Sequence, residues 1–211
     1  MKITALTCTF QRPQAFELCK MYVARQTRQP DQWLILDGPE PMTEKVLKAV
    51  RENLITGDAV IFAEDDDWFE PTWFAWCAER LEKYDIVGQG FALYYNVAQR
   101  WWSDCWNRRH ASLCQTAIRS EMFDRLCNVI EAFDNQWFDT RLWRLECRRF
   151  LDLPRENKLV IGIKGMPGIR GYSREHRKAA LHEVHPDPSM AKLWQLIGQD
   201  AEAYLPHYQR K

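Results

Sequence analysis

Ala59-Val60-Ile61-Phe62-Ala63-Glu64-Asp65-Asp66-Asp67-Trp68-Phe69-Glu70-Pro71 is the stretch on which the fold turns. Its five apolar residues predict a short strand buried on both faces. Four acids follow at the strand's carboxyl end. Pro71 then opens a helix that carries Trp73, Phe74, Cys77 and Leu81 at helical spacing. Strand, polar cluster and helix in that order are half of a βαβ unit.

The same alternation extends both ways. Upstream, Ile3 to Thr9 is β-rich and ends before the break at Arg12-Pro13. Phe16, Cys19, Tyr22 and Val23 then mark a helix that runs to about Arg28. Trp33 to Leu36 predicts a buried strand that ends at Asp37-Gly38-Pro39. Thr43 is placed to cap a helix with Val46, Leu47, Val50 and Leu54 on one face. Downstream, Asp85-Ile86-Val87-Gly88 begins a strand continuing toward Tyr95. The order βαβαβαβ implies an α/β fold, a mostly parallel central sheet with helices on both faces. Such sheets bind ligands at the carboxyl ends of their strands, near a switch in strand order. Thr9 to Arg12, Asp37-Gly38 and Glu64 to Asp67 all fall at those ends.

The second half is less regular. A Trp- and Arg-rich segment spans Arg100 to His110. Ser120 is placed to cap a helix with Phe123, Leu126, Cys127 and Ile130, and a second helix is expected over Asn135 to Arg149 with Phe138, Leu142 and Leu145 inward. Leu159 to Ile163 predicts a strand. Ser189 is placed to cap a last helix with Met190, Leu193, Trp194 and Ile197.

Four adjacent carboxylates repel one another unless a cation sits among them. Hard oxygen ligands suit Mg²⁺ or Mn²⁺, and such an ion usually takes one or two carboxylates together with substrate phosphates. The plainer reading is a solvated acidic turn that caps the helix after Pro71. The segment Gly165 to Arg177 has three glycines with Arg170, Arg174, His176 and Arg177. Backbone N–H groups in such a loop approach phosphate closely and the arginines grip it.

Together these elements resemble GT-A-fold glycosyltransferases of the large family-2 type. Thr9-Phe10-Gln11-Arg12-Pro13 is similar to that family's T-x-x-R-P opening, Leu36-Asp37-Gly38 to its D-G element, and Phe62 to Pro71 to its D-x-D-D segment. The resemblance covers residues 1–90. It implies a single GT-A-like (Rossmann-like) domain over 1–211, with a nucleotide-sugar-binding half at 1–95 and an acceptor-binding half at 96–211. It also implies roles. Thr9, Phe10, Arg12, Asp37, Gly38, Asp65 and Arg170 would bind the donor, a UDP-sugar foremost. Asp66 and His176 would hold Mn²⁺ or Mg²⁺, with the alternative that His176 is a plain surface histidine. Glu64 stands where the family has Asp. Gln136 to Arg144 is similar to the family's acid-x-x-L-W-x-R helix start, which makes Asp139 the candidate base and Asp134 its substitute. The plainer reading of Asp139 is a helix-start acid that complements the dipole.

Composition narrows the rest. The chain has 211 residues, 27% charged and 46% hydrophobic, with zero net charge. Residues 1–99 carry 10 basic and 15 acidic residues, a net of −5, whereas residues 100–178 carry 16 and 10, a net of +6. A basic stretch can meet a polyanion. A compact chain with a basic, aromatic middle is similar to small enzymes, some viral, that glycosylate hydroxymethylated pyrimidines in DNA. That likeness makes DNA one candidate acceptor beside glycan, lipid-linked and protein acceptors, and it assigns Trp101, Trp102, Arg108 and Arg109 to acceptor binding. A metal-dependent nucleotidyltransferase or nuclease competes, as does a non-enzymatic nucleic-acid binder. A nucleotidyltransferase would show a Gly-rich loop after its first strand, and none is present. A plain binder gives no reason for the four acids.

Seven cysteines without a C-x-x-C pair predict reduced core thiols, and Cys105, His110 and Cys114 match no common zinc spacing. No apolar run approaches the ~20 residues of a membrane span, and no signal-peptide core forms, so a cytoplasmic protein without an anchor is expected.

Overall fold

The computed structural model describes residues 1–133, 138–168 and 183–207. Six strands form the main sheet: β1 (Ile3–Thr9), β2 (Gln32–Asp37), β3 (Ala59–Phe62), β5 (Ile86–Gln89), β8 (Thr116–Arg119) and β9 (Arg149–Asp152), in the order β2-β1-β3-β8-β5-β9. All run parallel except β8, which is antiparallel to both of its neighbours. The chain leaves β1 toward β2 on one side and places β3 on the other. The carboxyl edge between β1 and β3 is therefore the switch point that suits a ligand.

Strand alternation explains why helices cover both faces. Ile3 and Ala5 of β1, with Ala59 and Ile61 of β3, pack with Cys19 and Tyr22 of α1 (Pro13–Ala24) and with Trp73, Phe74 and Cys77 of α3 (Trp73–Leu81). Leu6, Val60 and Phe62 point the other way, toward Val46 of α2 (Met42–Arg51) and Leu126 and Ile130 of α4 (Phe123–Ala132). Trp73 is wholly buried, and truncating a ring of that size costs about 3–5 kcal/mol.

A second sheet has the order β11-β7-β6-β10-β4, from β4 (Trp68–Phe69), β6 (Ala92–Asn96), β7 (Trp101–Cys105), β10 (Val160–Lys164) and β11 (His185–Pro186). The four acids fill the gap between β3, in the first sheet, and β4, in the second. They sit where the chain passes from one sheet to the other.

Several expectations change. The strand from Asp85 does not continue to Tyr95. It breaks at Gly90-Phe91, and β5 and β6 belong to different sheets. Phe91 adopts a left-handed φ of 49°, and a side chain on Gly90 would meet the Asn107 carbonyl at 2.2 Å. The helix expected over Asn135 to Arg149 shrinks, among the described residues, to α5 (Phe138–Leu142). Its far end becomes β9, because Arg148 pairs with Asp85 and the Asp85 N–H donates to the Arg148 carbonyl at 2.7 Å. Trp101 to Cys105 forms a strand that the sequence reading had not assigned. Thr43 lies inside α2 and is buried, with no hydrogen bond from its hydroxyl. Asp187, not Ser189, serves the start of α6 (Ala191–Ile197). Its Oδ2 accepts from the Lys192 and Leu193 N–H groups at 3.0 and 3.4 Å.

Candidate functional site

The site begins with strand ends. Register pairs Thr9 of β1 with Asp37 of β2, and the Gly38 N–H donates to the Thr9 carbonyl at 3.3 Å. Lys45, buried inside α2, donates to the same carbonyl at 2.9 Å. Phe10 follows with partial exposure, and Gln11 takes a left-handed φ of 49° as the chain turns toward α1.

From this edge two side chains grip the acids. Thr9 Oγ1 donates to Asp65 Oδ2 at 2.8 Å. Arg12 forks between two carboxylates, donating to Asp65 Oδ1 at 2.6 Å and to Asp66 Oδ2 at 2.8 Å. A guanidinium is shaped for such a fork. From the second sheet, Lys164 at the end of β10 donates to Asp66 Oδ1 at 3.4 Å and Asp67 Oδ1 at 3.2 Å. The Ile163 N–H also donates to Asp67 Oδ1, at 3.1 Å. Both oxygens of Asp66 therefore face cations.

Burial and charge set the ionisation. Burial pushes Asp66 up, but Lys164 and Arg12 outweigh it and hold its carboxyl below the ordinary value. Burial raises Asp65 to about 6 against the pull of Arg12. Burial, then neighbouring Asp67, lifts Glu64 well above the carboxylate range. Asp67 is raised by burial in spite of Lys164. Burial would lower Lys164, yet Asp66, Asp67 and Glu64 together raise it. Four carboxyl groups thus share two cations, Arg12 and Lys164.

Asp67 Oδ2 meets no partner of good hydrogen-bond geometry among the described residues, beside Glu64 and Cys114, and ligand atoms of these three lie within 4.8 Å of one another. The oxygens of this set suit a hard divalent ion, and the thiol does not. Ala15, Leu18, Met166 and Tyr204 close over Asp65, Asp66 and Asp67, leaving no room for a water molecule between them. Just beyond, Gly165 and Gly168 take left-handed φ of 87° and 130°. A side chain on Gly168 would meet Arg12 Cγ at 2.6 Å, so the first residues of the Gly-rich loop rest on the arginine that grips the acids. Arg170 and His176, like Asp134, lie outside the described residues.

The other sequence-chosen residues gather elsewhere. Asp139 lies in the first turn of α5 and is half-buried. Its Oδ1 accepts from the Thr140 N–H at 2.7 Å. Burial raises its pKa, while that hydrogen bond and the nearby His110 pull it back. Among the described residues, no hydrogen bond or ion pair joins Asp139 to the acid row. Trp101 and Trp102 are half-buried on β7. Trp101 donates to Gln99 Oε1 at 2.8 Å, and Trp102 stacks on His185 at 4.2 Å with Lys192 over its ring. The more open ring is Trp106, 52% exposed, with Arg108 and Arg155 beside it at 5.2 and 5.3 Å and Phe91 edge-on. Arg108 and Arg109 are exposed.

Sequence reasoning missed Lys45, Lys164 and Tyr204. A lone lysine ending the buried run Leu159 to Ile163 was a usable signal for Lys164. Tyr204, which exchanges a 2.8 Å hydrogen bond with Tyr22 of α1, gave no local signal.

Comparison with solved structures places the architecture. Residues 1–349 of S. aureus TarS in complex with UDP match with a TM-score of 0.53 and 10% identity, covering 77% of this chain and 60% of that one. The fold is GT-A-like. A longer structure of S. aureus TarS matches with a TM-score of 0.52 and 10% identity, covering 78% of this chain and 37% of that one. A197 from STIV matches with a TM-score of 0.47 and 18% identity, covering 72% and 82%. This chain thus spans well under two thirds of the TarS chains. No family model matches the sequence, and the search of curated proteins found no match. Among the described residues, no helix is long and apolar enough to cross a membrane.

Proposed function

We propose that the protein transfers a sugar from a nucleoside diphosphate sugar, a UDP-sugar foremost, to an acceptor hydroxyl. The observation that carries this reading is the tie between the end of β1 and the acid row: Thr9 and Arg12 bonded to Asp65 and Asp66 at the switch point of a GT-A-like sheet. The similarity in fold to S. aureus TarS in complex with UDP supports it.

In this reading Thr9, Phe10, Asp37 and Gly38 line the nucleotide, with Asp37 accepting from the base and Asp65 facing the ribose. Arg12 and Lys45 keep the edge rigid, so the donor meets a prearranged surface. Asp66, with His176 from the Gly-rich loop, would hold Mn²⁺ or Mg²⁺. A divalent ion there would supply positive charge to the departing diphosphate. Arg170 adds a donor to the phosphates. Asp139 accepts the acceptor's hydroxyl proton, which requires it to be ionised.

The acceptor side supports a nucleic acid, DNA in the first place, over a neutral glycan. Arg108 and Arg155 have no carboxylate partner among the described residues, and their guanidinium groups stand 5.2 and 5.3 Å from the open ring of Trp106. Unneutralised guanidinium groups beside a stacking ring match phosphate and base. Trp106 joins Trp101 and Trp102 as a candidate stacking ring.

Incubation with a panel of nucleotide sugars and Mn²⁺, with and without DNA containing hydroxymethylated pyrimidine, tests both levels. Release of nucleoside diphosphate from one donor is the expected result. Dependence of transfer on the DNA decides the acceptor.

A further inference from the structure

The two cations on Asp66 are not equivalent. Arg12 holds Asp65 and Asp66 at 2.6 and 2.8 Å, the lengths of strong charge-assisted bonds. Lys164 shares one ammonium between Asp66 and Asp67 at 3.4 and 3.2 Å, long for the same chemistry. The guanidinium is a rigid fork already matched to its carboxylates, and the ammonium is a point charge on a four-carbon stem. Lys164 is the cation that can leave. It also stands on Asp66 Oδ1, the one oxygen of that carboxylate that Arg12 does not hold, and on Asp67 Oδ1, which takes the Ile163 N–H as well; an ion that uses Asp66 beside the open Asp67 Oδ2 must displace it. Lys164 is 6% exposed, and burying its ammonium without a carboxylate would be costly. It leaves only if another anion receives it. Magnesium-like ions usually arrive bound to substrate phosphates, and phosphate oxygens are such an anion.

We propose that Lys164 fills the cation place of the acid row in the empty protein, so that a divalent ion enters only together with the nucleoside diphosphate, whose phosphate oxygens take over the ammonium. This rests on the donor reading above. It makes Lys164 a positioning residue for Asp66 and Asp67 before the donor binds, and it makes metal and donor uptake a coupled event. Lys164 lies next to Gly165, at the root of the Gly-rich loop, so movement of its ammonium begins where that loop begins.

Titration with Mn²⁺ alone, followed by the paramagnetic resonance of free Mn²⁺, is the direct experiment. The wild type, Lys164→Met and Lys164→Arg are each measured with and without UDP, and each is melted with and without Mn²⁺. The wild type should bind Mn²⁺ alone about tenfold or more weakly than in the presence of UDP, a usual size for coupling between two ligands. Lys164→Met should bind Mn²⁺ alone about tenfold more tightly than the wild type, and Mn²⁺ should raise its melting temperature, by mass action on the native state. Lys164→Arg, whose fork holds carboxylates more firmly, should bind Mn²⁺ more weakly than the wild type when UDP is present. A lysine that merely supports the fold would not yield a variant with higher metal affinity. Equal Mn²⁺ affinity of the wild type with and without UDP would overturn the proposal, and so would a folded Lys164→Met with unchanged Mn²⁺ affinity. If Lys164→Met does not fold, Lys164→Gln takes its place in the same titrations, with the same expected gain and the same overturning result. Should no nucleoside diphosphate bind any form, the donor reading fails. The gain of Mn²⁺ affinity in Lys164→Met would then still report Lys164 as the occupant of the cation place.

Discussion

The acid row and the patch around Trp106 manage charge in different ways. Between β1 and β3 the charges meet partners, Arg12 at short range and Lys164 at longer range. Arg12 serves two aspartates, Lys164 serves two, and Lys45 caps a carbonyl. Around Trp106 the guanidinium groups of Arg108 and Arg155 meet no carboxylate among the described residues. In the proposed reading the first region is the donor edge and the second the acceptor edge. A donor bringing its own cation and an acceptor bringing phosphates would each complete the charge that its edge lacks.

The largest expected effect separates chemistry from binding. Asp139→Asn should lower transfer by about 10²–10⁴-fold, the usual contribution of a general base, and leave UDP binding unchanged. Burial raises Asp139 above its ordinary value, so the acid limb of the kcat/KM profile should lie above the ordinary carboxylate value of about 4 and rise with pH as Asp139 ionises. The sign for stability is the reverse. A carboxyl with a raised folded-state pKa stabilises the fold at low pH, and that stability is lost as pH rises through the folded value. An acid limb that persists in Asp139→Asn would move the base elsewhere.

Next in size is the donor edge itself. Arg12→Met removes one partner from two buried pairs and should cost about 3–5 kcal/mol in urea unfolding, because the aspartates are left buried and unpaired. Arg108→Ala with Arg155→Ala should cost less than about 0.5 kcal/mol, as surface changes do. Similar losses at both edges would erase the contrast drawn above.

Trp106→Ala sharpens the acceptor side. It should weaken binding of single-stranded DNA by about 1–3 kcal/mol, the worth of one stacked base, and leave the melting temperature near that of the wild type. Trp102→Ala should do the opposite, since its ring packs on His185. Absence of any DNA affinity at low salt would point to a glycan or small-molecule acceptor.

The smallest effect lies behind the acid row. Tyr204→Phe removes the hydrogen bond to Tyr22, worth about 1 kcal/mol. A loss of about 2–4 °C in differential scanning calorimetry is expected for a chain of this length.

Legibility followed the same division. The strands and helices of the first half were plain because short apolar runs and amphipathic helices each bury one recognisable pattern. Thr9, Arg12, Asp65 and Asp66 fell at strand ends that topology must bring together. Lys164 was hidden because its partners lie 97 and 98 residues away in sequence, across the passage between two sheets. Trp106 was hard to choose because composition counts tryptophans without saying which ring faces water. The long helix predicted from Asn135 failed because the pairing of β9 with β5 overrides local periodicity. Tertiary contact decided each of these, and no local window contains it.

The central claim is that the β1–β3 edge binds a nucleoside diphosphate through Asp66. Thermal unfolding with UDP and Mn²⁺, run on the wild type and on Asp66→Asn, tests it most directly. Ligand at about 100 times its Kd should stabilise the wild type by about 2.7 kcal/mol and raise its melting temperature, and Asp66→Asn should show little or no shift. A flat response of the wild type to every common nucleoside diphosphate, or a full response that survives in Asp66→Asn, would contradict the account.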